Sequence, residues 1–525
     1  MTVGGVYCAD LTGVARITTD AEQYIGTARN LLAGRGIMSD VALSDLHHRF
    51  GRLPFPLTEF PPGYPLLIAF FLAFGASATV AVARINFLSL FTSALLIYAI
   101  LRTLEVRRSL RLVGMAFWLG FVPSWAEAFT GGSTLPFILA TLLSHLFLLL
   151  WRSSPSPYGS AWLFVAGVAA ATGFTIRYVG VFFIISTLLY AAYASRFTPW
   201  RPRVCELLGT ALVPVATVGL VLGRNYELVG SLFSRPQGSA PWEGGLLGLL
   251  SWSLCELSGV CWMDLWRGEL VAWISLVGIV VITGLVSFSF AFRMSLQDLD
   301  RTLPALLYVA LMVVCLGAIS VGRGRPYFES RYLLPVVPFV LIVVLHLLNL
   351  SVRLLALELS VFMALAASFS GQAQVFARIL HETEVVEFNR ILIRDLEAPV
   401  GNTTLRGVLE ASITEEHPLF AEPHQEAIWL ELPVVGMSPP EYSQVAWTEE
   451  EVRRLIEQFK IRLVLVLREA QRFPPLPFSS ELKAGRIPSW LRCVYCDAHI
   501  LLLRVVDASL PSRSVDESLS GTPAR

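Results

Sequence analysis

Lysine is nearly missing from this chain: Lys460 and Lys483 are the only two among 40 basic residues, and the rest are arginine. We read this as compositional bias, not as a phosphate-binding signature. Charge of either sign is scarce, at 15% of 525 residues, and 40 basic and 40 acidic side chains cancel. Nothing in that balance suits a polyanion, so nucleic acid is not expected as a partner. No P-loop and no G-x-G-x-x-G opens a helix, which argues against a site for a cytosolic nucleotide-sugar. H-x-x-x-H and Ser/His/Asp arrangements are also missing, as is any repeat of 20–50 residues. Met1 to Thr19 has no apolar core of the kind a cleavable signal peptide needs. Cysteine is sparse, with seven residues. Cys255 and Cys261 are close enough in sequence to pair in one loop. Cys493-Val-Tyr-Cys496 lacks the two further ligands a zinc site requires and any thioredoxin-like context, so it reads as unpaired or structural thiols.

What is abundant is apolar sequence, 54% of the chain at a mean hydropathy of +0.62. Runs near the roughly 18–20 residues that cross a bilayer lie at about 82–101, 112–128, 134–151, 160–176, 178–194, 207–223, 270–292, 303–321, 331–349 and 352–370. The expected fold is therefore a polytopic α-helical membrane protein of about ten spans. Pro65 to Gly75 is too short to span and reads as a re-entrant or interfacial helix. The stretch 160–194 would be about 52 Å long as one helix, far beyond a roughly 30 Å hydrocarbon core. Two spans turning at Arg177 fit better than one with arginine at its centre.

Arginine placement sets the orientation. Arg102, Arg107, Arg108 and Arg111, then Arg152, then Arg196, Arg201 and Arg203, then Arg293 and Arg301, then Arg353 follow alternate spans. Basic loops stay cytoplasmic, so 104–111 and 195–205 are expected inside and residues 16–64 outside. A span is then expected before Asp20. None is present, and we expect a start codon further upstream. Near Gly371 the composition changes. Residues 372–507 mix helical pieces (Glu384–Leu396, Thr448–Lys460) with strand-like runs (Ile428–Leu432, Ile461–Leu467, His499–Val506). They read as a small extracytoplasmic α/β domain after a transmembrane domain, 1–371. The Ser- and Pro-rich tail, 508–525, reads as disordered.

The stretch with the clearest chemistry lies between Arg16 and Tyr64. Thr18 or Thr19 can cap a helix whose first turn holds Asp20 and Glu22, carboxylates suited to the positive end of the helix dipole. Tyr24, Ala28, Leu31 and Leu32 keep helical spacing, and Gly34 and Gly36 stop it. Pro61-Pro62-Gly63 then forces a turn. Charge held beside a bilayer is costly unless it has a task or a partner. The motif D-A-x-x-Y-x-x-x-A-x-x-L-L-x-G-x-G, followed by P-P-G-Y-P, resembles the first extracytoplasmic loop of the GT-C glycosyltransferases. The nearest resemblance is to the bacterial protein mannosyltransferase and aminoarabinose transferase branch (family 39-like).

That resemblance implies an enzyme that takes a sugar from a polyprenyl-phosphate carrier to an acceptor outside the cytoplasm, lipid, glycan or protein. It implies a catalytic role for Asp20. It also implies arginines facing the donor phosphate, at Arg84, at Arg177 in T-I-R-Y-V-G, and at Arg331 in S-R-Y-L-L-P-V-V-P. R-N-Y-E-L-V-G-S-L from Arg224 is family-like and reads as structural. The chain departs from the pattern twice. Ala21 stands where the relatives often have Glu, and Thr134-Leu135, in G-G-S-T-L-P-F, stands where they often have a second acid. Glu22 and Glu127 are the other acidic candidates, Glu22 as a possible solvated neighbour of Asp20 and Glu127 as a substitute from the facing turn. His47, His48 and Glu59 are candidate ligands for a divalent metal, although adjacent histidines point apart on most backbones. Two other classes compete: a catalytically inactive GT-C-like scaffold, suggested by the two missing acids, and a secondary transporter. Transporters carry repeats and mid-membrane charges, whereas the ionisable residues here gather near one face.

Overall fold

The computed structural model describes residues 19–42, 47, 49–154, 158–196, 199–232, 296–323, 330–351, 399–400, 403–414, 416–422, 432–436, 448–467, 482, 486–496 and 500–506. The expected spans 270–292 and 352–370, the helical piece Glu384–Leu396, most of the run Ile428–Leu432, the Cys255–Cys261 pairing and the tail lie outside the described residues.

A helical body forms first. Helix α1 (Thr19–Leu32) is followed by short strands β1 (Met38–Ser39), β2 (Val41–Ala42) and β3 (Phe55–Pro56). Then come α2 (Gly63–Ala73), α3 (Ala78–Thr103), α4 (Arg108–Gly120), α5 (Val122–Thr130), α6 (Thr134–Ser153), α7 (Tyr158–Ile176), α8 (Gly180–Ala194) and α9 (Trp200–Val229). Further along the described residues are α10 (Leu296–Arg323), α11 (Ser330–Leu333) and α12 (Val337–Ser351). Among the described residues, four helices are long and apolar enough to cross a membrane: α3, α6, most of α7, and α9. Leu208, Leu212, Val215 and Leu220 on α9 are each at least 60% exposed. Such a stripe suits a hydrocarbon environment and not water. Helix α2, at 11 residues, is about 16 Å long and cannot span.

The expected turn at Arg177 is present, between α7 and α8. The expected single span at 112–128 is not. Pro123 sits in the first turn of α5, where a missing N–H costs nothing, and the chain breaks into two short helices at Phe121. Continuous hydropathy concealed that break.

Strands β4 (Pro399–Val400) and β5 (Thr403–Thr404) pair antiparallel, and β6 (Leu419–Glu422), β7 (Val434–Val435), β8 (Leu463–Leu467), β9 (Leu491–Cys496) and β10 (Ile500–Val505) join β2 in a six-stranded sheet in the order β2-β7-β6-β8-β10-β9. Alternation along β8 explains its two covered faces. Val464 and Val466 join Val452, Leu455 and Ile456 of the helix Glu449–Gln458, while Leu463 and Leu465 join Leu405 and Leu409 of the helix Leu405–Ser412. Cys493 and Cys496 are disulfide-bonded on β9, which corrects the reading of unpaired thiols. The edge strand β2 comes from the first loop. It pairs parallel with β7 (Val41 with Val434), and Val434 and Gly436 donate to the carbonyls of Asp40 and Ala42. Leu53 and Phe55 of the same loop enter the sheet's core. The first loop is thus built into the sheet as well as onto the helices.

The glycine of P-P-G-Y-P has a packing reason. A Cβ at Gly63 would lie 2.6 Å from the backbone oxygen of Thr175, at the end of α7. Gly63→Ala should therefore force α2 off α7 and cost about 1–3 kcal/mol, read as a lower thermal-melting midpoint in detergent. Gly209→Ala, where nothing lies within 4 Å, should leave the midpoint unchanged or slightly raised.

Candidate active site

Helix α1 carries the acidic turn as its sequence suggests. Gly34 and Gly36 end it with φ of +73° and +80°, a region L-residues avoid. Ala21, Tyr24, Ile25 and Ala28 bury one face against Ile68 and Ala69 of α2 and Ala78, Val82 and Ile85 of α3. Small residues let the helices approach closely. Asp20 is half-buried at the first turn. Glu22 is not a solvated neighbour: it is 1% exposed. The helix is covered on more than its alanine face, because the loop folds back over it. Asp40, held against Gly26, is part of that cover. Burial raises the Asp40 pKa above the ordinary carboxylate value, although Arg29 and Arg35 pull it down.

The start of α1 lies on the turn that joins α5 to α6. That turn reverses at Gly131, whose φ is +72°, and a Cβ there would lie 3.2 Å from Ala21 Cβ. Tyr24 Oη and Ser133 Oγ are hydrogen-bonded at 3.2 Å. Tyr64 Oη donates to the Gly131 carbonyl at 3.0 Å and accepts from Asn86 at 3.2 Å. In the same turn, buried Thr134 receives a hydrogen bond from Arg177 Nη1 at 2.5 Å and donates its own hydrogen to Glu127 Oε1. The Arg177 guanidinium also lies over the Tyr332 ring, 5.5 Å from its centroid.

The loop between α1 and α2 is fastened to the same end of the helical body. Arg224, near the end of α9, donates to the carbonyls of Leu57 and Ile37 at 2.8 and 3.0 Å. Asn225 donates to Tyr178 Oη at 2.7 Å, and that hydroxyl donates to the Thr58 carbonyl at 3.0 Å. His47 and Glu59 form a buried contact at 3.2 Å, and Gln23, one turn beyond Asp20, donates to the same carboxylate at 3.3 Å.

Of the expected site residues, the structure brings together the Asp20 helix start, Glu127 and Arg177. Arg84 is on the second turn of that end of α3 and is exposed; no described hydrogen bond or ion pair joins it to Glu127 or Arg177. Arg331 is on α11 next to Tyr332, with its side chain outside the described residues. His48 also lies outside them. No group of three or more His, Cys, Asp or Glu side chains arranged for a metal is found among the described residues. Thr134, Tyr332 and the Gly131-Gly132 pair were not singled out as site residues by sequence. The usable signal was two adjacent glycines between apolar blocks, where a chain reverses closely.

The opposite end of the bundle is basic. Arg152 meets Asp300 at 2.5 Å, Arg301 meets Glu105 at 3.4 Å, and the Arg107 amide donates to Asn349 at 3.0 Å. Helix α6 runs from Thr134 to Ser153 between these ends, about 30 Å.

The chain has the fold of the GT-C membrane glycosyltransferases. It is similar to the crystal structure of ArnT from Cupriavidus metallidurans bound to undecaprenyl phosphate, with a TM-score of 0.57 at 12% identity, over 98% of this chain and 100% of that one. It is also similar to the arabinofuranosyltransferase AftD from Mycobacteria, with a TM-score of 0.50 at 12% identity, over 96% of this chain and 40% of that longer one. No family model and no curated protein sequence matches it.

Proposed function

We propose that this protein is an inverting glycosyltransferase that moves a sugar from a polyprenyl-phosphate carrier to an extracytoplasmic lipid, glycan or protein. The observation that carries this reading is the shared turn. The helix bearing Asp20 packs on Gly131 and Ser133, beside the Thr134 hydroxyl that accepts from Arg177, which supports reading the carboxylate as a base and the guanidinium as a phosphate ligand at one end of the helical bundle. The likeness over the whole of both chains to a structure holding undecaprenyl phosphate supports it. In the reaction, Asp20 takes the proton of the acceptor nucleophile as it attacks the anomeric carbon. The bond from that carbon to the phosphate oxygen breaks, and polyprenyl phosphate leaves with the electron pair. Arg177 binds the leaving phosphate, with Arg84 and Arg331 as further cations on the same side. The test is transfer of radiolabelled sugar from polyprenyl-phosphate mannose, glucose, arabinose or galacturonic acid by purified protein with membrane acceptors. Ala21 and Thr134-Leu135, where acids are expected, favour the second reading of an inactive scaffold, and no transfer from any of these donors would support that reading.

The proposed orientation puts the Asp20 end and residues 372–507 outside, and the basic end inside. Cysteines introduced at 195–205 in intact cells should resist a membrane-impermeant maleimide, and those in the 448–467 region should react. Labelling of 195–205 from outside would reverse the topology.

A further inference from the structure

We propose that Glu127, acting through the hydroxyl of Thr134, positions Arg177 for the donor phosphate. This rests on the reading of Arg177 as a phosphate ligand. The direction of the chain of hydrogen bonds follows from chemistry. A guanidinium can only donate, so the Thr134 oxygen accepts from Arg177, and its single hydrogen goes to the Glu127 carboxylate. Thr134 is fully buried and cannot exchange these partners for water.

The backbone is shaped to permit this. Glu127 precedes Thr134 by seven residues, and the chain must reverse between them. Gly131 supplies the left-handed reversal, and at Gly132 a Cβ would lie 2.2 Å from Glu127 Oε1. The carboxylate occupies the space that any other residue's side chain would fill.

The interposed hydroxyl has an electrostatic consequence. A carboxylate paired directly with Arg177 would offset much of its charge, and an incoming phosphate would compete with it. One hydroxyl further away, Glu127 still orients the guanidinium through a polarised hydrogen bond, but its Coulomb attraction is weaker because it falls with distance. The described hydrogen bond uses one of the five N–H donors, and the Tyr332 ring restrains the guanidinium plane. Among the described residues, the arginine is thus held by a hydroxyl and a ring and not by a directly bonded carboxylate. Thr134 belongs to the Thr134-Leu135 pair that stands where the resemblance expects an acid, and here an acid, Glu127, reaches the arginine from the preceding helix through that hydroxyl.

The test uses the purified full-length protein with undecaprenyl phosphate as the probe and undecaprenol, its neutral counterpart, as the control. Arg177→Ala should weaken undecaprenyl phosphate binding at least tenfold and leave undecaprenol binding unchanged. Thr134→Val, close in shape but without the hydroxyl, should weaken phosphate binding several-fold to tenfold, and Thr134→Ser should restore it to within about twofold. The double variant Thr134→Val, Arg177→Ala should bind no worse than Arg177→Ala alone, because the hydroxyl acts only through the arginine. Should Thr134→Val fail to fold, Glu127→Gln decides, with an expected loss of several-fold for the phosphate and none for undecaprenol. Wild-type binding by Thr134→Val, or by Glu127→Gln in that case, together with a weakened Arg177→Ala, would overturn the positioning role alone. Equal losses for phosphate and undecaprenol, or additive losses in the double variant, would also overturn it. Wild-type binding by Arg177→Ala would overturn the reading of Arg177 itself.

Discussion

Asp20→Asn should reduce sugar transfer by about 10²–10⁴-fold, the usual worth of a positioned general base, while expression and undecaprenyl phosphate binding stay near wild type. Asparagine keeps the shape of aspartate and is as good at a helix start, so α1 should remain folded. What it loses is the capacity to take a proton. The contrast with Glu22→Gln is sharper than sequence alone allowed. Glu22 is buried, not solvated, so its substitution should register as a change in thermal stability with transfer lost only in proportion to unfolded protein. Wild-type transfer by Asp20→Asn would remove Asp20 from the chemistry and turn attention to Glu22, Glu59 and Glu127.

Arg177→Ala should lower kcat/KM for the lipid-phosphate donor by about 10–100-fold. A charge-assisted hydrogen bond is worth about 1.5–3 kcal/mol, and each 1.36 kcal/mol is about a factor of ten in rate. The fold should tolerate the change. Thr134 still donates to Glu127 when Arg177 is gone, and the turn between α7 and α8 is held by backbone bonds from Arg177, Gly180 and Val181. A well-folded Arg177→Ala protein with unchanged donor kinetics would leave this arginine as a headgroup contact.

These two residues were legible for different reasons. Arg177 stood out because one arginine in the middle of 35 apolar residues forces a choice between an unfavourable span and a turn. Asp20 stood out by its place in a motif, and its helix by capping residues and two terminal glycines that do adopt positive φ. Its surroundings were not legible. Glu22 looked solvated because the loop's return over α1 depends on contacts such as Asp40 against Gly26, which no local pattern encodes. Strand β2 is two residues long and pairs with a partner nearly four hundred residues away, too short for any periodicity. The link from Glu127 to Arg177 runs through a hydroxyl and two glycines, so no spacing of acidic residues reveals it. At 112–128 hydropathy was a poor guide because a proline in the first turn of a new helix leaves the apolar run intact.

The most direct measurement is a structure of the full-length protein with polyprenyl phosphate bound. The account predicts the phosphate within hydrogen-bond distance of Arg177, at the end of the bundle where α1 meets the Gly131–Thr134 turn, with the Asp20 carboxylate facing the same space. A phosphate at the opposite end, beside Arg152 and Arg301, or one that leaves Arg177 bound only to Thr134, would contradict it.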